Sequence, residues 1–542
     1  MVDFDGFDDN AVVALQRLTK LQRLGIRSGS LSQDGWKKFS ELTSLKELTL
    51  DDQFVIESQA LPFLAELSKL EVLELNRYAG IDDEHLKPLL KLKKLRRLKV
   101  HCYSGTSKGL ASLAELPKLE SLSLPKILSD RPPDLAGLQK LAKLKVLELE
   151  ECEFTTDEAL AYLAKLSGLE ELSLDTWTVR PVCWTSIYPN EFTGKGLTKL
   201  RELKQLRRLN LRGSSNLVDE DMATLAEIET LEYLNVSDCL GVTDEGIRKL
   251  AKLPRLEHLV VYGAVQDEKP RGEALDEFSH DSRLRVLELP NTWKLAPRFF
   301  SAVASLENLR VLNLDGCSEH VEGSATHLAD AKELCELNIR RLEISSREFA
   351  AICTATSLKV VTFNAWKLQD EDMKPLAGLR DLKGLEIRLA ANLGDKTMGY
   401  IGQLKSLENL VITGRSGEDC KLTDRAMEQL KNLTKLRSID FTWLRPWGET
   451  MSGIENLSSL EAIRVNGCGK IGPEAVRRML TLPNLRVASL HGVSGFPTDA
   501  EELVPSDSLE NVHFSFSDEN ACKAGSEWAK KYPLLVFGGF SG

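Results

Sequence analysis

The stretch Leu144-Lys-Val-Leu147-Glu-Leu149-Glu-Glu-Cys152-Glu-Phe-Thr-Thr156-Asp-Glu-Ala-Leu160-Ala-Tyr-Leu163-Ala-Lys-Leu166 contains one complete structural repeat. Its first part, L-x-x-L-x-L, alternates apolar and polar residues, which is typical of a short β-strand. Its second part begins at Thr156, a suitable helix N-cap, followed by two acidic residues that the helix dipole favours. Leucines at helical spacing complete it. Each repeat is therefore predicted to form a strand followed by a helix.

The same pattern returns along the whole chain of 542 residues. The second leucine of each motif, which we name the anchor, mostly recurs after 24 or 25 residues. Such self-similarity indicates a solenoid, whose repeats bury their apolar faces against one another. The predicted fold class is α/β, a right-handed βα superhelix or horseshoe with a concave parallel sheet of about 20 strands and convex helices. The anchors are Leu24, Leu48, Leu73, Leu98, Leu122, Leu147, Leu172, Leu209, Leu234, Leu259, Leu287, Leu312, Leu337, Val361, Leu385, Leu410, Ile439, Ile463, Ala488 and Val512.

A solenoid grows by stacking, so we expect one elongated domain. Residues 1–20 are predicted to hold an N-terminal capping helix and residues 21–514 the repeats. Residues 515–542 are predicted to hold a C-terminal cap and tail, with a helix from Glu519 to Lys531. The step from Leu172 to Leu209 spans 37 residues and indicates a long insertion at 175–196.

Composition narrows the range of partners. The net charge of -11 argues against a nucleic-acid partner, which would require a basic face. No apolar run approaches the roughly 18 residues of a membrane span, and the acidic N-terminus lacks the features of a signal peptide. Ten cysteines are scattered singly, which favours a reducing compartment. We expect a cytoplasmic monomer without a membrane partner.

The segment Leu234-Asn-Val-Ser-Asp-Cys239-Leu-Gly-Val-Thr-Asp-Glu-Gly246 resembles the cysteine-containing type of leucine-rich repeat. In that type a cysteine follows the strand and a Val/Ile-Thr-Asp-Glu-Gly stretch opens the helix. The type is found in F-box adaptors and in bacterial cytoplasmic proteins, and the resemblance implies protein recognition through the concave face. The repeats begin by about Leu21 with no F-box-like region before them. The cysteines in this slot are Cys152, Cys239, Cys317 and Cys468.

The slot cysteines are interpreted as small buried residues whose thiols satisfy loop backbone groups. A metal site could be built from Cys317-x-x-His320 with His327 and Cys335, but this spacing matches no standard zinc pattern. We therefore predict no metal and no cofactor. Because no nucleophile–base arrangement or phosphate-binding loop stands out either, the chain is predicted not to be an enzyme.

Aromatic residues recur four to six positions after an anchor, which places them on the loops leaving the strands. Exposed tryptophan is frequent at binding hot spots, so these residues are candidate contacts. They could instead fill the same half-buried slot as the cysteines, which we favour for Trp177 and Trp366. The residues at these offsets are Tyr78, Tyr103, Trp177, Trp293, Trp366 and Trp443.

The long insertion is the strongest local candidate, because insertions in repeat proteins often lie on the binding face. It carries Trp177, Arg180, Trp184 and Tyr188, residue types that are enriched in interface cores. The alternative is a loop that folds back over its own apolar surface. A second loop, holding Trp443 and Trp447, has a similar composition.

The predicted concave strands carry alternating charge. Arg97 and Lys99 lie in the fourth repeat and Arg208 and Arg212 in the eighth, with Glu148, Glu150, Glu171 and Asp175 between them. This succession suits a protein of complementary charge better than a polyanion. Ordinary solvated residues are the alternative.

The predicted function is a non-catalytic scaffold that binds a protein or peptide on its concave face and rim loops. Two alternatives stay open: a regulator, inhibiting or activating a partner enzyme, and a carbohydrate or small-ligand binder that uses the aromatic rim. The candidate contact residues are Arg97, Lys99, Trp177, Arg180, Trp184, Tyr188, Arg208, Arg212, Trp293, Trp366, Trp443 and Trp447.

Overall fold

The computed structural model describes residues 6–55, 59–76, 80–127, 134–151, 155–176, 190–262, 271–278, 282–292, 294–415, 420–423, 425–444, 448–497 and 503–532. The chain forms two compact units, Met1–Pro270 and Arg271–Gly542. Each unit is built from the predicted strand-and-helix repeats. Among the described residues, no helix is long and apolar enough to cross a membrane.

The first unit contains a parallel sheet in which each strand pairs with the next one along the chain. Anchors pair with anchors, as Leu147 does with Leu172. Its strands are β1 (Arg23–Ser30), β2 (Glu47–Val55), β3 (Val72–Leu75), β4 (Arg97–Val100), β5 (Ser121–Ser123), β6 (Val146–Glu148), β7 (Glu171–Ser173), β8 (Arg208–Asn210), β9 (Tyr233–Asn235) and β10 (His258–Val260).

The second unit repeats this arrangement, again with parallel pairing between successive strands. All the predicted anchors therefore lie in strands. The strands of this unit are β11 (Val286–Glu288), β12 (Val311–Asn313), β13 (Glu336–Ile339), β14 (Val360–Asn364), β15 (Gly384–Arg388), β16 (Asn409–Thr413), β17 (Ser438–Thr442), β18 (Ala462–Asn466), β19 (Val487–Val493) and β20 (Asn511–Phe516).

Helices follow many of the strands. The first unit holds α1 (Asp9–Leu15), α2 (Gln33–Phe39), α3 (Ala60–Leu64), α4 (Asp83–Leu89), α5 (Ser107–Ser112), α6 (Asp157–Leu163), α7 (Gly194–Leu200), α8 (Asp219–Leu225) and α9 (Asp244–Leu250). The second unit holds α10 (Phe299–Ser305), α11 (Ser346–Ile352), α12 (Asp395–Ile401), α13 (Pro473–Leu480) and α14 (Glu519–Lys531).

Several repeats carry a 3-10 helix where a regular α-helix was expected. At Asp370–Gly378, Pro375 lies inside the helix and provides no backbone N–H for an α-helical ladder. The other 3-10 segments are Leu113–Glu115, which continues α5, and Ala136–Lys140, Glu273–Glu277, Ser324–Asp330, Ala426–Leu430 and Ile454–Asn456. The expectation of a helix in every repeat is thus corrected to a mixture of the two helix types.

Aromatic clusters lie in the first and last repeats of the described part of the chain. Near the N-terminus the ring of Phe7 meets those of Phe39 and Phe54. Near the C-terminus Trp528 of α14 is 1% exposed and packs on Phe514. Capping of this kind keeps the terminal repeats from exposing their core. Helix α14 has the predicted bounds, whereas α1 ends at Leu15, earlier than the predicted capping helix.

The Thr-Asp-Glu-Gly stretch connects neighbouring repeats. The Asp219 carboxylate of α8 accepts hydrogen bonds from the Thr243 backbone N–H (2.7 Å), the Thr243 hydroxyl (2.7 Å) and the Gly246 backbone N–H (2.9 Å). Thr243 is the N-cap of α9. The aspartate that opens one helix therefore binds the start of the next. Asp83, Asp157, Asp370 and Asp395 make equivalent bonds.

The slot cysteines are buried as predicted. The thiols of Cys239, Cys317 and Cys468 donate to the carbonyl oxygens of Leu211, Leu289 and Phe441, at 3.3, 3.1 and 3.3 Å. Burial raises the pKa of Cys239 and Cys317 to about 12 and that of Cys468 to about 11. Cys152, the fourth slot cysteine, lies outside the described residues.

We expect these thiols to resist alkylation in the folded protein. Iodoacetamide at mildly alkaline pH should modify Cys335 and Cys522, which are partly exposed, well before Cys239 or Cys317, because the thiolate is the reactive form. Peptide mass spectrometry at several reaction times measures the order. Equal labelling rates for the two groups would contradict this burial.

Candidate binding surface

The side chains flanking each anchor form the face of the sheet opposite the core, which we name the open face. It contains the residues one before, one after and three after the anchor, since side chains alternate along a strand. Arg97 and Lys99 lie there on β4, exposed and half-buried. In the β8 repeat, Arg208 lies one residue before the anchor and is exposed, and Arg212 lies three residues after the anchor and is half-buried.

Strands β8 to β10 bring basic and aromatic side chains together on the open face. The guanidinium carbon of Arg208 lies 4.2 Å from the centre of the Tyr233 ring. Tyr233 meets the ring of His258 edge to face, with centroids 4.8 Å apart. The Arg208 Nε also lies 3.5 Å from the Glu171 carboxylate on β7. Cation–π stacking holds the arginine in place while its side chain stays 48% exposed.

Arg212 forms a second, more buried part of this cluster. Its Nε donates to the Asp238 carboxylate at 3.1 Å, and that carboxylate side chain is 3% exposed. Its guanidinium carbon lies 4.9 Å from the centre of the Tyr262 ring. Asn210 accepts from the Arg212 backbone N–H at 3.1 Å. These contacts fix Arg212 as a rigid part of the open face.

Acidic side chains lie beside this cluster. Glu148, Glu171, Ser173, Arg208 and Tyr233 are among the residues that line a cavity of about 170 Å³. Glu150 also lines it. Burial and the nearby carboxylates of Glu148 and Asp175 raise the pKa of Glu150, whereas Lys99 acts in the opposite direction. Negative charge is thus concentrated at this cavity, as the sequence predicted for the repeats between β4 and β8.

The predicted rim aromatics have different environments. Trp366 is 43% exposed, with the Lys367 ammonium 5.5 Å from its ring centre, and so does not fill the half-buried slot that we favoured. Trp443 is half-buried and packs against Gly467, where a Cβ would lie 2.4 Å from the indole. Tyr103 is 1% exposed and its hydroxyl donates to Asp83 at 2.9 Å, so it belongs to the core.

Other predicted contacts fall outside the described residues. These are Tyr78, Trp177, Arg180, Trp184, Tyr188, Trp293 and Trp447.

Two of the residues considered for a metal site are engaged elsewhere. His320 Nε2 lies 2.8 Å from the buried Glu348 carboxylate, and the Cys317 thiol binds a carbonyl oxygen. Within the described ranges, no group of three or more His, Cys, Asp or Glu side chains could hold a metal ion.

Tyr233, His258 and Tyr262 are open-face residues that the sequence prediction omitted. They occupy the same positions relative to their anchors as Arg208 and Arg212. The signal that placed the arginines on the open face could therefore have placed these rings beside them.

The strand-and-helix repeat matches a known family. A model of the leucine-rich repeat region fits residues 138–480. The chain belongs to the leucine-rich repeat family. The cysteine-containing F-box type is not distinguished by this match.

One relative with a curated description is "Putative RNA-binding protein EEED8.10" of Caenorhabditis elegans. It is 25% identical over 216 residues, a match that covers 39% of this chain and 29% of that protein. The matched segment therefore spans less than a third of the relative.

Three solved structures are similar to this chain at low sequence identity. An internalin, inlF, of Listeria monocytogenes is 18% identical, with 80% of this chain and 94% of that chain covered and a TM-score of 0.32. The plant peptide hormone receptor RGFR1, in complex with RGF2, is 15% identical, with coverages of 97% and 88% and a TM-score of 0.35. TLR13 in complex with ssRNA13 is 15% identical, with coverages of 95% and 90% and a TM-score of 0.44.

Proposed function

We propose that the protein is a non-catalytic recognition scaffold that binds a protein or peptide on the open face of β6 to β10. The observation that carries the proposal is the Arg208–Tyr233–His258 cluster beside the carboxylate-lined cavity. Arginine and tyrosine are enriched at binding hot spots. The ordered stacking supplies side chains that lose little conformational freedom on binding.

A protein partner fits this surface better than RNA does. The relative named for RNA binding covers only part of this chain. Phosphate groups on the open face would meet Glu148 and Glu150 beside the cavity, and nucleic-acid binding depends strongly on neutralising phosphate charge. Arg208 and Arg212 are already near Glu171 and Asp238.

A bulky substitution in the cavity tests the location of binding. Ser173 lies on the open face of β7, is half-buried and accepts one side-chain hydrogen bond, from Asn210 at 3.1 Å. The probes are peptides selected from a random library for binding to the wild-type protein. Ser173→Trp is expected to lower their affinity by about tenfold or more, because the indole fills the cavity. Fluorescence anisotropy with a selected peptide measures the loss.

Thr362→Trp is the matched control in the second unit. Thr362 occupies the same position after its anchor, is half-buried and donates one long side-chain hydrogen bond, to Glu386 at 3.4 Å. Its substitution is expected to leave peptide affinity unchanged, and circular dichroism checks that both variants fold. If Thr362→Trp removed binding and Ser173→Trp did not, binding would have to be assigned to another surface.

A further inference from the structure

A basic patch lies just before strands β3 to β6, although the chain as a whole has a net charge of -11. We name this patch the amino edge and define it by the residues two and four positions before each anchor. Six of these eight residues are basic and two are acidic, whereas the same positions before β7 to β10 hold two basic and three acidic residues. The amino edge consists of Lys69, Glu71, Lys94, Arg96, Lys118, Glu120, Lys143 and Lys145.

Lysines of successive repeats form a row along the amino edge. Neighbouring strands lie about 4.8 Å apart, so four lysines in successive repeats extend over roughly 15 Å. Three of them also line a cavity of about 410 Å³, where a bound segment would have room. The row is formed by Lys69, Lys94, Lys118 and Lys143, all exposed, and the last three line the cavity together with Glu71, Arg96, Pro117 and Glu120.

Two of these lysines lack the contact that their position makes in other repeats. There, the residue four before the anchor can be a serine or threonine whose hydroxyl donates to a carbonyl oxygen of the preceding repeat. Thr230, Ser357 and Ser459 do so at 2.6, 2.8 and 2.8 Å. Lys94 and Lys118 form no such hydrogen bond and no ion pair within the described ranges. Their ammonium groups are therefore available to a partner.

The other charged groups at the cavity are already engaged. Arg96 forms an ion pair with Glu120 at 2.8 Å, and this contact together with the charge of Glu71 raises the Arg96 pKa. The Lys143 ammonium donates to the Pro117 carbonyl oxygen at 2.9 Å, which holds it beside the cavity. Both carboxylates of the lining thus act on the arginine, and the lysines keep an excess of positive charge.

An acidic protein segment suits this surface better than RNA does. Proteins that bind single strands without sequence preference combine a basic groove with aromatic rings on which bases stack. The described lining of the cavity contains no aromatic ring. Glu71 and Glu120 also interrupt the row and would repel evenly spaced phosphates. A peptide can instead place carboxylates at the lysines and neutral residues at the two glutamates.

We propose that the amino edge of β3 to β6 is a second interaction surface, which binds an acidic segment of a protein through Lys94, Lys118 and Lys143. About five residues of an extended segment would span the row. This inference goes beyond the proposed function, because the amino edge is a different surface from the open face of β6 to β10.

Short synthetic peptides of equal length test the charge preference. They alternate glycine with glutamate, glutamine or lysine, and a single-stranded RNA of similar length is the fourth probe. Fluorescence anisotropy is expected to show that the glutamate peptide binds at least about tenfold more tightly than the glutamine peptide, and that added salt lowers its affinity. The lysine peptide and the RNA are expected to bind more weakly than the glutamate peptide. Equal affinities for the glutamate and glutamine peptides, or tighter binding of the RNA, would overturn the inference.

The double substitution Lys94→Gln with Lys118→Gln assigns the preference to the amino edge. It is expected to lower the affinity for the glutamate peptide by about fivefold, since two exposed charge contacts are lost. The matched control is Lys405→Gln with Lys435→Gln in the second unit, where both lysines are exposed and Lys435 also lies four residues before its anchor. It changes the net charge equally and is expected to leave the affinity unchanged. Circular dichroism checks that both variants fold.

A comparison with Ser173→Trp separates this inference from the proposed function. That substitution is expected to weaken the library-selected peptides and to leave the glutamate peptide unaffected. Equal losses in the two double variants, or loss of the glutamate peptide in Ser173→Trp alone, would overturn the inference. Retention of library peptide binding in Ser173→Trp would instead count against the proposed function.

Discussion

Replacing Glu348 by alanine is expected to lower the free energy of unfolding by about 3 kcal/mol or more, because a buried carboxylate that accepts several hydrogen bonds is removed. The Glu348 side chain is 1% exposed, and that of His320 beside it is 6% exposed. One carboxylate oxygen accepts from His320 Nε2 at 2.8 Å and from the Gly323 backbone N–H at 2.9 Å. The other accepts from the Ser345 backbone N–H at 2.9 Å.

The loss is large because one side chain serves two repeats. Glu348 completes a capping box with Ser345 at the start of α11, and it also binds the backbone at the start of the 3-10 helix of the preceding repeat. Without it, several buried donors lose their acceptor. Urea denaturation followed by circular dichroism measures the change. Glu322→Ala, at an exposed position nearby, is the control and should change the free energy of unfolding little. A similar decrease in both variants would contradict the role of Glu348.

The contribution of Glu348 depends on pH in a defined direction. Burial raises the pKa of this carboxyl, but hydrogen bonds from Ser345 and His320 outweigh it and lower the pKa below the ordinary value of 4.5. A lowered folded-state pKa gives stability that is complete above the ordinary value and is lost as pH falls through the folded-state value. The difference between wild type and Glu348→Ala should therefore shrink in acid.

The second large effect is expected for Asp219→Ala, which should lower the free energy of unfolding by about 3 kcal/mol. The substitution removes a charged carboxylate that accepts hydrogen bonds from several donors. The carboxylate links α8 to the first turn of α9 through Thr243 and Gly246. Repeat proteins draw their stability from such contacts between neighbours. Glu220→Ala, at the next and exposed position of α8, is the control, with little loss expected.

A double-mutant cycle tests the close approach at Gly246. A Cβ there would lie 2.5 Å from Asp219 Oδ1. Gly246→Ala should therefore destabilise the wild type more than it destabilises Asp219→Ala, because shortening residue 219 makes room. Urea denaturation of the four proteins gives the coupling energy. Strict additivity would contradict the contact.

Much of the fold could be predicted because its signals are local. Alternation around each anchor placed the strands, and the N-cap at Thr156 was confirmed, because its hydroxyl oxygen accepts a hydrogen bond from the Ala159 backbone N–H. The role of Asp219 could not be predicted from helix-dipole considerations, since its partner Thr243 belongs to the next repeat. The 3-10 segments also escaped prediction; in one of them, Asp370–Gly378, Pro375 removes a backbone donor from the α-helical ladder.

The candidate site was predicted in part. Strand alternation placed Arg208 and Arg212 on the correct face. Their ring partners, Tyr233 and Tyr262, belong to later repeats, so the contacts could be recognised only in the stacked structure. Tyr103 and Trp366 both lie five residues after an anchor, but Tyr103 is buried and its hydroxyl donates to Asp83. Offset from an anchor thus fixes the loop position but not the exposure of the side chain.

Photo-cross-linking tests the location of the binding surface most directly. A library-selected peptide carrying a photoreactive residue is irradiated with the full chain, and mass spectrometry identifies the attached residues. We predict cross-links on the open face of β6 to β10, near Glu148, Ser173 and Tyr233, and their loss in Ser173→Trp. Cross-links confined to the helices or to the second unit would contradict binding at this surface.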